Sequence, residues 1–142
     1  MTFLLNLITA AVLYGTPLLY GTTGEILTEK SGNLNLGVEG MMFMGGAVGL
    51  GAAFYYEKLT GAAVSAPLAV VIAIAGSFLA GAAGALIFSF LTITLRANQN
   101  VTGLALTIFG TGVGQYLGEF MRVQEGTYVA VSNTLKIGRA HV

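Results

Sequence analysis

Glu29-Lys30-Ser31-Gly32-Asn33-Leu34-Asn35-Leu36-Gly37-Val38-Glu39-Gly40-Met41-Met42 lies between two long apolar runs, and its reading decides the fold. Charge, glycine and asparagine break the first run, and the second begins with Glu39 still in it. A carboxylate at the edge of an apolar span is expensive unless it has a partner or a role. Backbone that leaves helical geometry near a membrane must be buried in protein or line a wet cavity, because lipid offers no hydrogen bonds. The stretch therefore predicts helices packed around a broken, polar segment.

Composition fixes the solvent. Of 142 residues, 55% are hydrophobic and only 8% charged, and mean hydropathy is +0.81. Soluble domains carry about 25% charged residues. The chain reads as an all-α, polytopic transmembrane helical bundle with about four spanning helices, set in a lipid bilayer. A formal net charge of zero gives no footprint for a nucleic-acid partner. The absence of cysteine excludes disulfides, thiol chemistry and cysteine-based metal sites. The N-terminus has neither a basic leader nor a small-residue cleavage site, so residues 1–20 are expected to stay as a span.

Residues 3–22 form the first apolar run, interrupted by Pro17, which predicts a kink. Residues 24–36 read as a charged connector and 36–56 as the second span, with Glu39 in its first turn, where a carboxylate suits the helix dipole. Met41, Met42 and Met44 read as soft packing groups. Tyr55 and Tyr56 before Glu57-Lys58 look like an interfacial belt. After a short loop at 60–65, Pro67 fits the first turn of a third helix, and the run 66–95 exceeds one bilayer thickness. Its small residues recur every fourth position, which predicts a helix enclosed by other helices. The fourth span is 101–118, with polar, irregular chain after Glu119. Close helix contacts are expected at Gly45 and Gly49, at Gly76 and Gly84, and along Gly110, Gly114 and Gly118. Lys30 and Arg96 on one side balance Lys58 and Arg122 on the other, so the basic residues set no orientation.

Catalytic constellations are missing. There is no phosphate-binding loop of the GxxxxGK[ST] kind, aspartate and cysteine are absent, and the single histidine is His141. No pair of ligand residues has a spacing that would hold zinc, and no metal or cofactor is expected. An enzyme is not indicated.

Two interruptions in order resemble a known family. Thr16-Pro17-Leu18-Leu19, then Glu29-Lys30-Ser31-Gly32 and Asn33 to Met42, is similar to the N-terminal signature of bacterial ABC-importer permeases for branched-chain amino acids, ribose-type sugars and nucleosides. Leu95-Arg96-Ala97-Asn98-Gln99, followed by Val101 and Gly103-Leu104-Ala105-Leu106, resembles a second signature of the simple-sugar and nucleoside branch. The likeness covers residues 1–118. Asn100 departs from it, standing where an aliphatic residue is expected. Family members are about twice this long, so residues 1–136 look like the N-terminal half of a transmembrane permease domain.

The resemblance implies a permease subunit in the bacterial inner membrane, a second permease subunit beside it, separate ABC ATPase subunits that hydrolyse ATP, and an extracytoplasmic solute-binding protein. By position it implies Asn33, Asn35, Glu39, Asn98 and Gln99 as polar residues near the translocation path. Each also fits a helix cap or an interhelical hydrogen bond. Two other readings stay open: a fragment of a secondary transporter with broken helices, for which Glu39 is the one intramembrane ionisable candidate, and a membrane scaffold whose small-residue stripes serve assembly alone.

The last six residues, Ile137-Gly138-Arg139-Ala140-His141-Val142, match one reading frame of a widely used sequencing-library adapter, whose next codon is a stop. Lys136 is compatible with the junction codon. Residues 137–142 are therefore expected to be a non-native tail, with no role for Arg139 or His141. Resequencing the source locus past Asn133 checks this: the expected result is an open frame running into further apolar spans. Genomic codons for 137–142 followed by a stop would overturn it.

Overall fold

The computed structural model describes residues 2–126, and the expected non-native tail lies outside them. Four helices follow one another: α1 (Thr2–Lys30), α2 (Val38–Thr60), α3 (Ala66–Ser89) and α4 (Gln99–Glu125). A short 3-10 turn, Gly61–Ala63, joins α2 to α3, and α3 runs into a π-helical segment, Phe90–Thr94. Among the described residues the regular structure is all helical, and the chain is a multi-pass membrane protein. All four helices have spanning length. Three stretches, Thr2–Lys30, Val38–Thr60 and Ala66–Thr94, are also apolar enough to cross a membrane.

α1 is longer than the first apolar run. It continues through Gly24, Glu25 and Glu29, so most of the expected connector is helix, and the break shrinks to 31–37. The stop is a glycine: Gly32 takes φ +85, its N–H bonds to the Glu29 carbonyl at 2.9 Å, and the Asn33 N–H reaches the Thr28 carbonyl at 3.1 Å. That is the Schellman arrangement, which ends a helix by satisfying its last carbonyls. Pro17 sits inside the helix and removes the N–H that would serve the Leu13 carbonyl. Thr9, Thr16, Thr22, Thr23 and Thr28 each return their hydroxyl to the carbonyl four residues back. Their polarity is thus satisfied inside the helix, as an apolar solvent demands. α1 has no buried residue.

α2 is the centre. Its buried positions are Gly40, Met44, Gly45, Gly49, Gly51 and Ala53, and α3 and α4 pack on its two sides. α3 is not enclosed as its small-residue pattern predicts. Among the described residues only one face is covered, through Ala69, Gly84 and Phe88, and that face lies on α2. Its opposite side, with Phe78 and Leu79, is exposed. Pro67 falls in its first turn, as expected. The helix ends where Arg96 takes φ +52 and the Ala97 N–H reaches the Leu91 carbonyl at 3.0 Å. A left-handed arginine in place of glycine costs about 1–2 kcal/mol.

α4 also outruns its apolar core. It continues past Gly118 to Glu125, and a left-handed Gly126 follows. The added turns carry two ion pairs: Lys58 Nζ meets Glu125 Oε1 at 2.6 Å, tying the end of α2 to the end of α4, and Arg122 grips Glu119 one turn before it. Charge in those turns is therefore compatible with helix, because partners one turn away or on the neighbouring helix meet it.

Candidate functional site

The break between α1 and α2 is a strap, and side chains from two helices, α1 and α4, together with one of its own, account for much of its backbone. Gln99, the first residue of α4, accepts the Leu34 N–H on Oε1 at 2.8 Å and donates from Nε2 to Asn33 Oδ1 at 3.2 Å. Glu25, in the last part of α1, accepts the Asn35 N–H on Oε1 at 2.9 Å. Asn35 turns its own Oδ1 onto the Gly37 N–H at 2.9 Å. Thr107, two turns into α4, donates to the Leu36 carbonyl at 2.8 Å. A non-helical segment beside a membrane must place its N–H and C=O groups somewhere, and here protein side chains take them.

Helix packing brings this strap close to α4. A Cβ on Gly103 would stand 2.7 Å from the Leu36 nitrogen, and one on Gly37 would stand 2.9 Å from a methyl of Leu106. One turn further, Gly40 of α2 and Gly110 of α4 pass backbone to backbone. A Cβ on Gly40 would lie 2.6 Å from the Leu106 carbonyl oxygen, and one on Gly110 would lie 2.8 Å from the Gly40 Cα. Only residues without a side chain permit this crossing.

The five polar residues expected near a path thus have distinct placements. Asn33 and Gln99 are bonded to each other, and Asn35 is buried beside them with its amide oxygen engaged. Asn98 caps α4, its Oδ1 accepting from the Asn100 N–H at 3.0 Å and the Val101 N–H at 3.2 Å. The unexpected Asn100 therefore lies inside the first turn and leaves the helix start intact. Glu39 stands apart: it is exposed in the first turn of α2 and, among the described residues, carries no hydrogen bond or ion pair.

The glycines divide as well. Gly45 faces the Ser77 carbonyl, Gly49 the Ala73 carbonyl and the Ser77 hydroxyl, Gly76 the Ala52 methyl, and Gly84 the side chain of Met41. Gly110 meets Gly40, and Gly114 meets the ring of Phe43. Gly118, on the same stripe, has nothing within 4 Å of its Cβ position. Sequence reasoning missed Glu25, Gly40, Gly103 and Thr107. Glu25 was hidden by being taken for connector, and the polar stretch Gly21-Thr22-Thr23-Gly24 before it gives no local signal that the helix continues. Among the described residues no group of three or more His, Cys, Asp or Glu gathers as a metal site.

Comparisons with known proteins place the sequence among transporter permeases. A protein of Haloferax volcanii carrying the name glucose ABC transporter permease protein TsgC13 is 38% identical over 118 residues, which is 83% of this chain and 32% of that protein. The guanosine ABC transporter permease protein NupQ of Bacillus subtilis is 30% identical over 78% of this chain and 33% of its own length. The nucleoside ABC transporter permease protein NupC of Lactococcus lactis is 29% identical over 75% of this chain and 32% of its own length. The chain spans about a third of the length of the curated relatives it matches, less than the half expected from the sequence. No solved structure matches. The sequence model of one family, described as the permease component of the branched-chain amino acid transport system, matches residues 5–135. With both polar signatures inside that match and joined in space by Gln99, the chain belongs to this permease family.

Proposed function

We propose that the chain is the N-terminal part of the permease subunit of a binding-protein-dependent ABC importer, and that it forms part of the path of a sugar or nucleoside across the bacterial inner membrane. A second permease subunit completes the path, ABC ATPase subunits supply the energy, and an extracytoplasmic binding protein delivers the solute. The observation that carries this reading is the meeting of the two signature segments. Leu34 and Gln99 lie 65 residues apart in sequence, yet one side chain joins them. The names of the relatives bear on the solute: glucose is a sugar, and guanosine and other nucleosides carry one. Within this reading Glu39 and the Asn33–Gln99 pair front the path, while Asn35 and Asn98 hold the backbone that shapes it.

The test uses the full-length permease with the ATPase and binding protein encoded beside it. ATP-dependent uptake of glucose or guanosine into vesicles is the expected result. Uptake driven by a proton or sodium gradient without the ATPase would sink the reading. Glu39→Gln keeps size and most hydrogen bonding but removes charge. It is expected to leave membrane levels unchanged and to lower uptake by about fivefold, equivalent to about 1 kcal/mol. Uptake equal to wild type would leave Glu39 only its place at the helix dipole.

A further inference from the structure

α4 has the length of a span but, alone among the four helices, not the apolarity. Its surface divides into three flanks. One is packed, through Leu106, Gly110, Gly114 and Met121. A second is apolar and exposed, through Ile108, Tyr116 and Val123. The third carries Thr107, Thr111, Gln115, Gly118 and Arg122, whose spacings of four, four, three and four keep to one side of a helix. At 1.5 Å per residue this polar line is about 22 Å long. It starts at the strap, where Thr107 holds the Leu36 carbonyl, and ends at the Arg122–Glu119 ion pair. The Thr111 hydroxyl returns to the Thr107 carbonyl. Gln115, exposed and midway along, has no hydrogen-bond partner among the described residues. Beside it lies an open hollow of about 470 Å³, bounded across from α4 by Phe43 and Leu50 of α2. Glu39 stands one turn before Phe43 on the same side of α2, so the hollow continues the line that Glu39 begins.

We propose that this flank of α4 is a wall of the wetted path, and that Gln115 is a solute contact on it, hydrogen-bonding the hydroxyls of a sugar ring that enters the hollow. The inference rests on the reading of the chain as part of a sugar or nucleoside importer and adds a wall and a contact residue to it. Lipid does not suit the flank, because acyl chains offer nothing to an amide at that depth. A primary amide both donates and accepts, which matches a hydroxyl. The ring of Phe43, 49% exposed, offers an apolar face to the C–H side of the same sugar. A helix contact is made with one or two polar groups, whereas here polar or side-chain-free positions recur along the whole line.

The test introduces single cysteines, absent from this stretch, into a transport-competent full-length permease with no other cysteine, in vesicles with its ATPase and binding protein. Gln115→Cys and Gly118→Cys probe the polar flank; Tyr116→Cys and Gly112→Cys probe the apolar one. All four positions are exposed, and neither glycine has anything within 4 Å of its Cβ position, so the substitutions disturb no packing. A membrane-impermeant methanethiosulfonate reacts with thiolate, which needs water, so the polar-flank cysteines are expected to react about twentyfold faster than the apolar-flank pair. The solute taken up in the same vesicles, glucose or guanosine, is expected to slow the reaction at Gln115→Cys about fivefold when present at about four times its dissociation constant. No reaction at either polar-flank cysteine, or equal reaction at all four, overturns the wall. Reaction at Gln115→Cys that solute does not slow overturns the contact. Unreactive cysteines in a permease with ATP-driven uptake sink the wall alone, whereas flank-selective reaction in a permease driven by a proton gradient without the ATPase sinks the importer reading alone.

Discussion

Gly110→Leu in the full-length permease is expected to abolish folded protein in the membrane. At this position α4 crosses the Gly40 backbone of α2, and a Cβ there would lie 2.8 Å from the Gly40 Cα. The obstacle is main chain in the middle of a helix, so no rotamer change relieves it. Overpacking ordinarily costs about 1–3 kcal/mol, and a rigid neighbour puts this substitution at or above the top of that range. Gly114→Leu, one turn on, meets chiefly the ring of Phe43, which is 49% exposed and free to swing, so a milder loss is expected there. Val113→Leu changes volume by one methylene on a neighbouring face and is expected to be nearly silent. The measurement is the amount of monodisperse protein extracted from membranes, with its thermal midpoint. The order Val113, Gly114, Gly110 in rising severity is the expected outcome. Equal behaviour of all three would mean that α2 and α4 do not cross as described.

Asn35→Leu is the second large effect. Asn35 is 6% exposed, and its Oδ1 is the acceptor for the buried Gly37 N–H. Leucine matches the volume but leaves that N–H without a partner, which costs about 1–3 kcal/mol. The damage is expected to spread to α1. The Asn35 N–H is the group that Glu25 holds, and α1 buries no residue of its own against the bundle. Asn35→Ser, whose hydroxyl makes the same kind of turn more weakly, is expected to recover part of the loss. Limited proteolysis between α1 and α2 reads the release of α1: faster cleavage in Asn35→Leu, with Asn35→Ser intermediate, is the expected order. Identical cleavage rates in all three proteins would show that the strap does not depend on this side chain.

The apolar runs determined the membrane, the number of helices and the rough place of each break, because bilayer thickness demands long uncharged segments and few other folds use them. The same runs placed Glu39 in a first turn, Pro67 at a helix start and the two polar signatures in order. Helix ends were less legible. Glu25 and Glu29 look like connector, yet the helix stops only where Gly32 can turn left-handed, and α4 passes Glu119 because Arg122 and Lys58 take up its carboxylates. The glycine stripes show which faces allow close contact but not where helices cross. Gly110 and Gly118 share one stripe, and only Gly110 meets a backbone. The strap was beyond local reading altogether: Glu25 is 10 residues from Asn35, Gln99 is 65 from Leu34, and Thr107 is 71 from Leu36. Nothing in their spacing announces these pairings. They exist because α2 and α4 cross at Gly40 and Gly110, and that crossing is a property of the packed helices.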